Sequence, residues 1–254
     1  MAQLLTEVPG VLYKFRRPAD RDVECLLARR EIYLASPLKL NDPFDCYPVV
    51  TVPPVAERRR LVEEAMAHAP PGLEEEARRR SELLFTSPLH RARYPDEFFR
   101  EDFGRMGVVS LSASRDNPLL WAHYAESASG FAVGYRARDE DGLEAFPALP
   151  IDYTMDRPQM PCMGEADWPR ILFTKSEHWA HEQEWRYVRL ADDGGVGPMV
   201  VSAGSIVEVC LGPRMKKEHR AAVVTAARSL PDRPRILLAR LMPERFGLTF
   251  ERVD

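Results

Sequence analysis

The chain has 254 residues, 45% apolar, 29% charged and 9% aromatic, which suits a sizeable core and excludes a disordered tail or a disulfide-stapled miniprotein. Thirty-nine acidic against 35 basic residues give a net charge of −4, so no overall field draws in a polyanion. Cys25, Cys46, Cys162 and Cys210 form no C-x-x-C pair, Met1-Ala2-Gln3 opens no secretory leader, and no apolar run approaches the roughly 18 residues of a membrane helix, so a cytoplasmic protein with reduced thiols and no membrane span is expected.

In chain order, Val11-Leu12-Tyr13-Lys14-Phe15-Arg16 alternates apolar and polar residues as a half-buried strand does, and Pro18 and Asp20 open a helix to about residue 30. Ile32 to Ala35 reads as a short strand. Pro37, Asn41-Asp42 and Pro43 make 36–43 a turn-rich loop. Residues 54–105 change composition, with few β-branched residues and with 10 basic and 11 acidic residues from Glu57 to Arg105. Glu74, Glu75 and Glu76 precede Arg78, Arg79 and Arg80 by four, so the spacing predicts exposed helices on either side of Pro70-Pro71-Gly72, a helical insertion. From Val108 the pattern returns to β. A strand at 108–112 is followed by a helix opened by Asp116-Asn117-Pro118, and 131–135 is again a strand. The remainder reads as loop over 139–170 around a short strand at 151–153, helix near 174–182, strands at 184–190 and 206–211, helix at about 215–229, and strands near 235–240 and 247–253. This irregular alternation argues for one α+β domain over 1–254, with a curved mixed or antiparallel sheet, two small sheets around a cleft, and the 54–105 insertion.

Three groups of residues have the makings of a site. Trp121-Ala122-His123-Tyr124 puts three functional side chains on one helical turn, and the same spacing suits plain core packing. Glu182, Glu184 and Arg186 alternate onto one face of a strand, with Gln183, Trp185 and Tyr187 on the other; adjacent carboxylates need a cation, which Arg186 or Lys175 supplies. Asn41-Asp42-Pro43-Phe44-Asp45 joins turn chemistry to two carboxylates. Glycine-rich phosphate loops and a G-x-S-x-G elbow are absent, and His178 and His181 have no obvious third metal ligand.

Read together, the segments Leu12-Tyr13-Lys14-Phe15-Arg16, Ile32 to Pro37 with Asn41 to Asp45, Ser110-Leu111-Ser112, Leu120 to Ala125 with Gly130-Phe131, Lys175-Ser176 with Trp179, and Glu182 to Arg186 resemble a widespread bacterial family of unknown function. Some members of that family lie near phage-defence and toxin-like genes. The order of a basic residue on a first strand (Lys14 or Arg16), Ser110-x-Ser112 on a middle strand and Glu182-x-Glu184 on a late strand is also similar to ADP-ribosyltransferases of the Arg–Ser–Glu kind. That resemblance implies an NAD-consuming ADP-ribosyltransferase or NAD glycohydrolase that needs no metal, with a nucleotide as ligand and a protein or nucleic acid as possible acceptor. Glu184 would stabilise the oxocarbenium-like ribose, Glu182 would orient the acceptor, Lys14 or Arg16 would contact the diphosphate, and Tyr13, Trp121 or Tyr124 would stack on a ring. Lys14 or Arg16, Ser112, His123 and Glu184 are then expected to converge. A metal-dependent nuclease using Asp42, Asp45 and Glu184, and a non-catalytic sensor or adaptor, are the alternatives.

Overall fold

The structure, a computed structural model, describes residues 9–93, 103–137, 147–231 and 233–253. In chain order its strands are β1 (Val11–Arg16), β2 (Glu31–Leu34), β3 (Val49–Thr51), β4 (Gly107–Ser112), β5 (Phe131–Arg136), β6 (Leu149–Pro150), β7 (Asp152–Thr154), β8 (Gln159–Pro161), β9 (Thr174–Ser176), β10 (Glu184–Arg189), β11 (Gly197–Val200), β12 (Ile206–Leu211), β13 (Arg235–Leu241) and β14 (Leu248–Arg252). The helices are α1 (Asp20–Val23), α2 (Val55–Ala67), α3 (Glu74–Thr86), α4 (Pro118–Tyr124), α5 (Trp168–Leu172) and α6 (Lys217–Ser229). The class is α+β, and the chain packs as two compact units, 1–35 with 107–151 and 178–254, and 36–106 with 152–177.

The first unit is built on an eight-stranded sheet in the order β14-β13-β12-β5-β1-β4-β10-β6. Its neighbours are antiparallel except β12 and β13, which run parallel because α6 carries the chain back between them. Alternation along each strand sorts the side chains onto two faces. One face carries Leu12, Val109, Leu111, Phe131, Val133, Trp185 and Val209, packed with Val223 and Ala227 of α6. The other carries Tyr13, Phe15, Ala132, Cys210 and Leu237, covered by Leu120, Trp121 and Ala125 on and after α4. Trp121 is 1% exposed, meets Phe15 edge to face at 5.2 Å, and donates its indole N–H to the Arg115 carbonyl at 2.7 Å.

Six register pairs join β1 to β5, from Val11↔Arg136 to Arg16↔Phe131, and six join β4 to β10. Between these two ladders, β1 and β4 meet at one register pair, Tyr13↔Ser112. Beyond it the Lys14 ammonium donates to the Ser110 carbonyl at 2.7 Å, so a side chain satisfies an acceptor that a regular ladder would have given to backbone. The sheet therefore has a seam between β1 and β4.

The second unit holds α2 and α3 together with the two-stranded parallel pairs β3–β8 and β7–β9. The helices expose their charges: Arg59 pairs with Glu63 at 2.9 Å, and Arg78 with both Glu75 at 2.8 Å and Glu82 at 3.3 Å. Leu61 and Leu84 are the buried apolar residues of these two helices. The 54–105 stretch is helical where it is described, and its residues 94–102 lie outside the described ones. Strands β3, β8 and β11 and helix α5 carry no marked alternation and are not expected from the sequence. The stretch expected as helix at 174–182 is instead β9 followed by a 3-10 turn, Glu177–Glu182.

A buried carboxylate fastens the first unit. Glu208, 1% exposed, accepts the Tyr13 hydroxyl at 2.9 Å and the Arg115 guanidinium at 2.6 Å, and it also pairs with Arg235. Burial first, and then the bond to Glu208, raises the Tyr13 phenol above the ordinary tyrosine range, while burial pushes the Cys210 thiol up to about 12. Both groups are held neutral in the fold, so the stability they contribute is complete below the ordinary thiol value and falls as the pH rises past it, when the unfolded chain releases protons that the fold retains. Urea unfolding is expected to show stability declining above about pH 9. Glu208→Gln should cost about 1.5–3 kcal/mol at neutral pH, the scale of a hydrogen bond to a charged group, read as a lower urea midpoint with unchanged slope.

Candidate functional site

Strands that lie about 95 and 70 residues apart in sequence bring three side chains into one row across the sheet. Tyr13 of β1 stands opposite Ser112 of β4, and Ser112 opposite Glu184 of β10. Directly opposed residues of an antiparallel pair share a face, with Cβ atoms about 4.5–5.5 Å apart. Tyr13, Ser112 and Glu184 therefore line one face at the seam, with exposures of 7%, 4% and 3%.

Ser112 is the hub of this row. Its hydroxyl donates to the Glu182 carbonyl at 2.6 Å, with the Ser114 carbonyl at 3.1 Å, and it accepts the Ser114 N–H at 3.0 Å. Beside it, the Arg186 guanidinium pairs with the Glu184 carboxylate at 2.8 Å, and Arg186 is wholly buried. Arg186, one of the two cations considered from the sequence, holds Glu184.

Glu182 behaves differently from a strand residue. It ends the 3-10 turn, and Gln183, at φ 45°, takes a left-handed conformation rare for a side-chain-bearing residue, so alternation restarts at Glu184. The Glu182 carboxylate accepts the Tyr124 hydroxyl at 2.5 Å. Asn117 caps α4 by accepting the Leu119 N–H at 2.9 Å and donates to the His181 carbonyl at 2.7 Å, which ties the helix to the turn. His123 is exposed on α4, its ring 6.2 Å from that of Tyr124 and 6.5 Å from that of Trp179. The His181 ring lies 6.0 Å from the Trp179 ring.

The basic residues of β1 fall elsewhere. Alternation puts Lys14 and Arg16 with Leu12 on the opposite face from Tyr13, and Arg16 stands opposite Phe131. Burial lowers the Arg16 guanidinium from its ordinary value, against the raising effect of Asp22. The expected convergence of Arg16 with Ser112, His123 and Glu184 is thus not made, and Lys14 is engaged in the seam with Ser110. Ser110 shares the face of Ser112 and stands opposite Arg186. Trp121 belongs to the packed core, so its ring is unavailable for stacking.

A pocket of about 450 Å³ opens at the end of the row, lined by Tyr13, Ser114, Arg115, Asp116, Gln183 and Phe250 among others. The Arg115 guanidinium lies 4.9 Å over the Phe250 ring. Neither residue stands out in the sequence, because Arg115 sits in a loop and Phe250 on an ordinary strand; only their shared pocket singles them out.

Asn41, Asp42, Asp45 and Lys175 belong to the second unit. Asp42 accepts the Phe44 N–H at 2.9 Å as a turn residue does, and the Lys175 ammonium lies 3.6 Å from the Asp45 carboxylate, with both side chains buried. The Arg157 guanidinium packs on the rings of Phe44 and Tyr47 and donates to the Tyr47 carbonyl at 2.8 Å. Among the described residues no three His, Cys, Asp or Glu side chains converge as metal ligands.

No family model, curated protein or solved structure matches the chain. Among the described residues no helix is long and apolar enough to cross a membrane.

Removing the hub hydroxyl leaves a buried N–H and a buried carbonyl without their partner. Ser112→Ala is expected to destabilise the protein by about 1–3 kcal/mol in urea unfolding, and Ser110→Ala, half-buried, by less.

Proposed function

We propose that the first unit is an NAD-consuming enzyme, an ADP-ribosyltransferase or NAD glycohydrolase, with its reacting centre at the Tyr13–Ser112–Glu184 row. The observation that carries this reading is the adjacency of β1, β4 and β10. The motif order that resembles ADP-ribosyltransferases scatters a basic first-strand residue, a Ser-x-Ser and a Glu-x-Glu across the sequence; neighbouring strands bear Lys14 and Arg16, Ser110-x-Ser112 and Glu184, with Glu182 in the turn that leads into β10.

Cleavage of the nicotinamide–ribose bond leaves positive charge on the ribose, and a carboxylate fixed beside it stabilises that charge without reorganising at the moment of reaction. Glu184, oriented by Arg186, is the group for this role. Glu182, paired with Tyr124 at the end of the 3-10 turn, would orient the acceptor and receive a proton from the attacking water or acceptor hydroxyl. The adjoining pocket offers Phe250 for ring contact and Arg115 as the cation for a phosphate, the part first assigned to Lys14 or Arg16. A toxin or phage-defence role would draw on the same consumption of NAD. The nuclease alternative requires Asp42, Asp45 and Glu184 to bind a cation, whereas Asp45 and Glu184 already hold Lys175 and Arg186.

Incubation with NAD in the presence of EDTA should release nicotinamide, followed by chromatography. Glu184→Gln should slow release by roughly 10²–10³, the effect of losing one preorganised electrostatic group. Because that substitution also unpairs Arg186, its circular dichroism and urea midpoint are measured alongside. A folded Glu184→Gln protein with wild-type turnover removes Glu184 from the reaction, and nucleic-acid cleavage dependent on Mg²⁺ with no nicotinamide release moves the assignment to the nuclease.

A further inference from the structure

The eight-stranded sheet ends in two different edges. At one end lies β6, two residues long and closed by Pro150, which has no N–H to offer a further strand. At the other lies β14, paired to β13 in unbroken register from Leu237↔Arg252 to Leu241↔Leu248, with no bulge, proline or lysine along it to blunt the edge. Among the described residues no strand pairs with its outer side.

Which backbone groups point outward follows from the bonds at the two ends of the pair. Met242 donates its N–H to the Gly247 carbonyl at 3.1 Å, and Val253 donates to the Ile236 carbonyl at 2.8 Å. Antiparallel ladders alternate bonded and non-bonded pairs, so Gly247, Thr249, Glu251 and Val253 turn their backbone groups to β13. Leu248 and Phe250 turn theirs away, each presenting an N–H and a C=O at the open edge.

The side chains select the occupant. Leu248 and Phe250 pack on the face of Trp121, whereas Thr249 and Glu251 are exposed on the other face, with Glu251 paired to Arg240 of β13 at 2.9 Å. A second copy of the same strand, related by a two-fold axis, can be centred on any of the three middle residues. Centred on Glu251 it sets two like charges directly opposite each other, and centred on Phe250 it sets Leu248 against the partner's Arg252. Centred on Thr249 it sets Leu248 against the partner's Phe250 and threonine against threonine, and the outward N–H and C=O of Leu248 and Phe250 are all matched. In that register the fully exposed Phe246, just before β14, comes opposite the partner's Arg252, a ring beside a guanidinium.

We propose that the protein forms a two-fold symmetric dimer by antiparallel pairing of β14 with β14 of a second copy, centred on Thr249, which joins two eight-stranded sheets into one. The dimer stands apart from the NAD chemistry and would survive its failure. Leu248 and Phe250 also line the 450 Å³ pocket, so the partner strand borders that pocket. A contact made chiefly by one strand pair falls among the small interfaces, and association in the micromolar range is expected.

Thr249 is exposed and lies outside the row and the pocket lining, so charges placed there test the register without touching either. Sedimentation equilibrium between about 1 and 300 μM at low salt should show the wild type passing from monomer towards dimer. Thr249→Lys and Thr249→Glu each set like charges across the axis and should weaken association about 10-fold, the glutamate more so because the partner's Glu251 lies diagonally across. An equimolar mixture of the two variants sets lysine against glutamate and should associate at least as tightly as the wild type. Circular dichroism and urea midpoints close to wild type verify that both variants stay folded. A wild type that remains monomeric to about 300 μM, a dimer that neither charge weakens, or a mixture that associates no better than its components would overturn the proposal.

Discussion

One register pair holds the eight-stranded sheet together at its middle. Five strands from β14 to β1 form one ladder and three from β4 to β6 form another, and Tyr13↔Ser112 is where their backbones pair. Several buried polar groups of the first unit gather at that joint. Ser112 holds the 3-10 turn that presents Glu182, Tyr13 reaches Glu208, and Lys14 satisfies Ser110 where backbone pairing lapses. A sheet that opens between two ladders offers polar groups and a cavity without sacrificing its core, because the apolar residues on both faces stay packed within each ladder.

The charges at the joint each have a local partner. Glu184 has Arg186, Glu182 has Tyr124, and Glu208 has Tyr13, Arg115 and Arg235. Buried ions carry a large desolvation penalty that only well-placed partners offset, and such sets favour one arrangement over its alternatives. The same logic governs the Lys175–Asp45 pair of the second unit. Functional carboxylates that are held this way are oriented before any ligand arrives.

The strands of the large sheet were legible because alternation is strong where one face meets a core: Leu12, Val109 and Val133 against Tyr13, Ser110 and Ala132. Helix α4 was legible from its Asp116-Asn117-Pro118 start, and α6 was expected at about 215–229. The pair β3–β8 and the partner β11 of β2 were not, since three or four residues without marked alternation give no period to read and their pairing comes from tertiary contact. Within the site, Ser112, Glu182, Glu184 and Tyr124 announced themselves as motifs. The face occupied by Lys14 and Arg16 did not, because choosing between Tyr13 and its neighbours requires knowing which side of β1 faces Ser112, and a shift of one residue exchanges the two sets. Arg115 and Glu208 escaped notice for a related reason: their meeting joins a loop residue to a strand residue 93 positions away in sequence.

The strand order also bears on how the chain is made. During synthesis β1 emerges first, yet its neighbours β4 and β5 begin at residues 107 and 131. At translation rates of 5–20 residues per second the β1 strand waits about 5–20 s for β4, with Leu12, Tyr13 and Phe15 unsheltered by either neighbour. Early residues that cannot pair until the middle of the chain arrives give the sheet a high contact order, so it should assemble late and slowly, with its central strand the segment most in need of a chaperone.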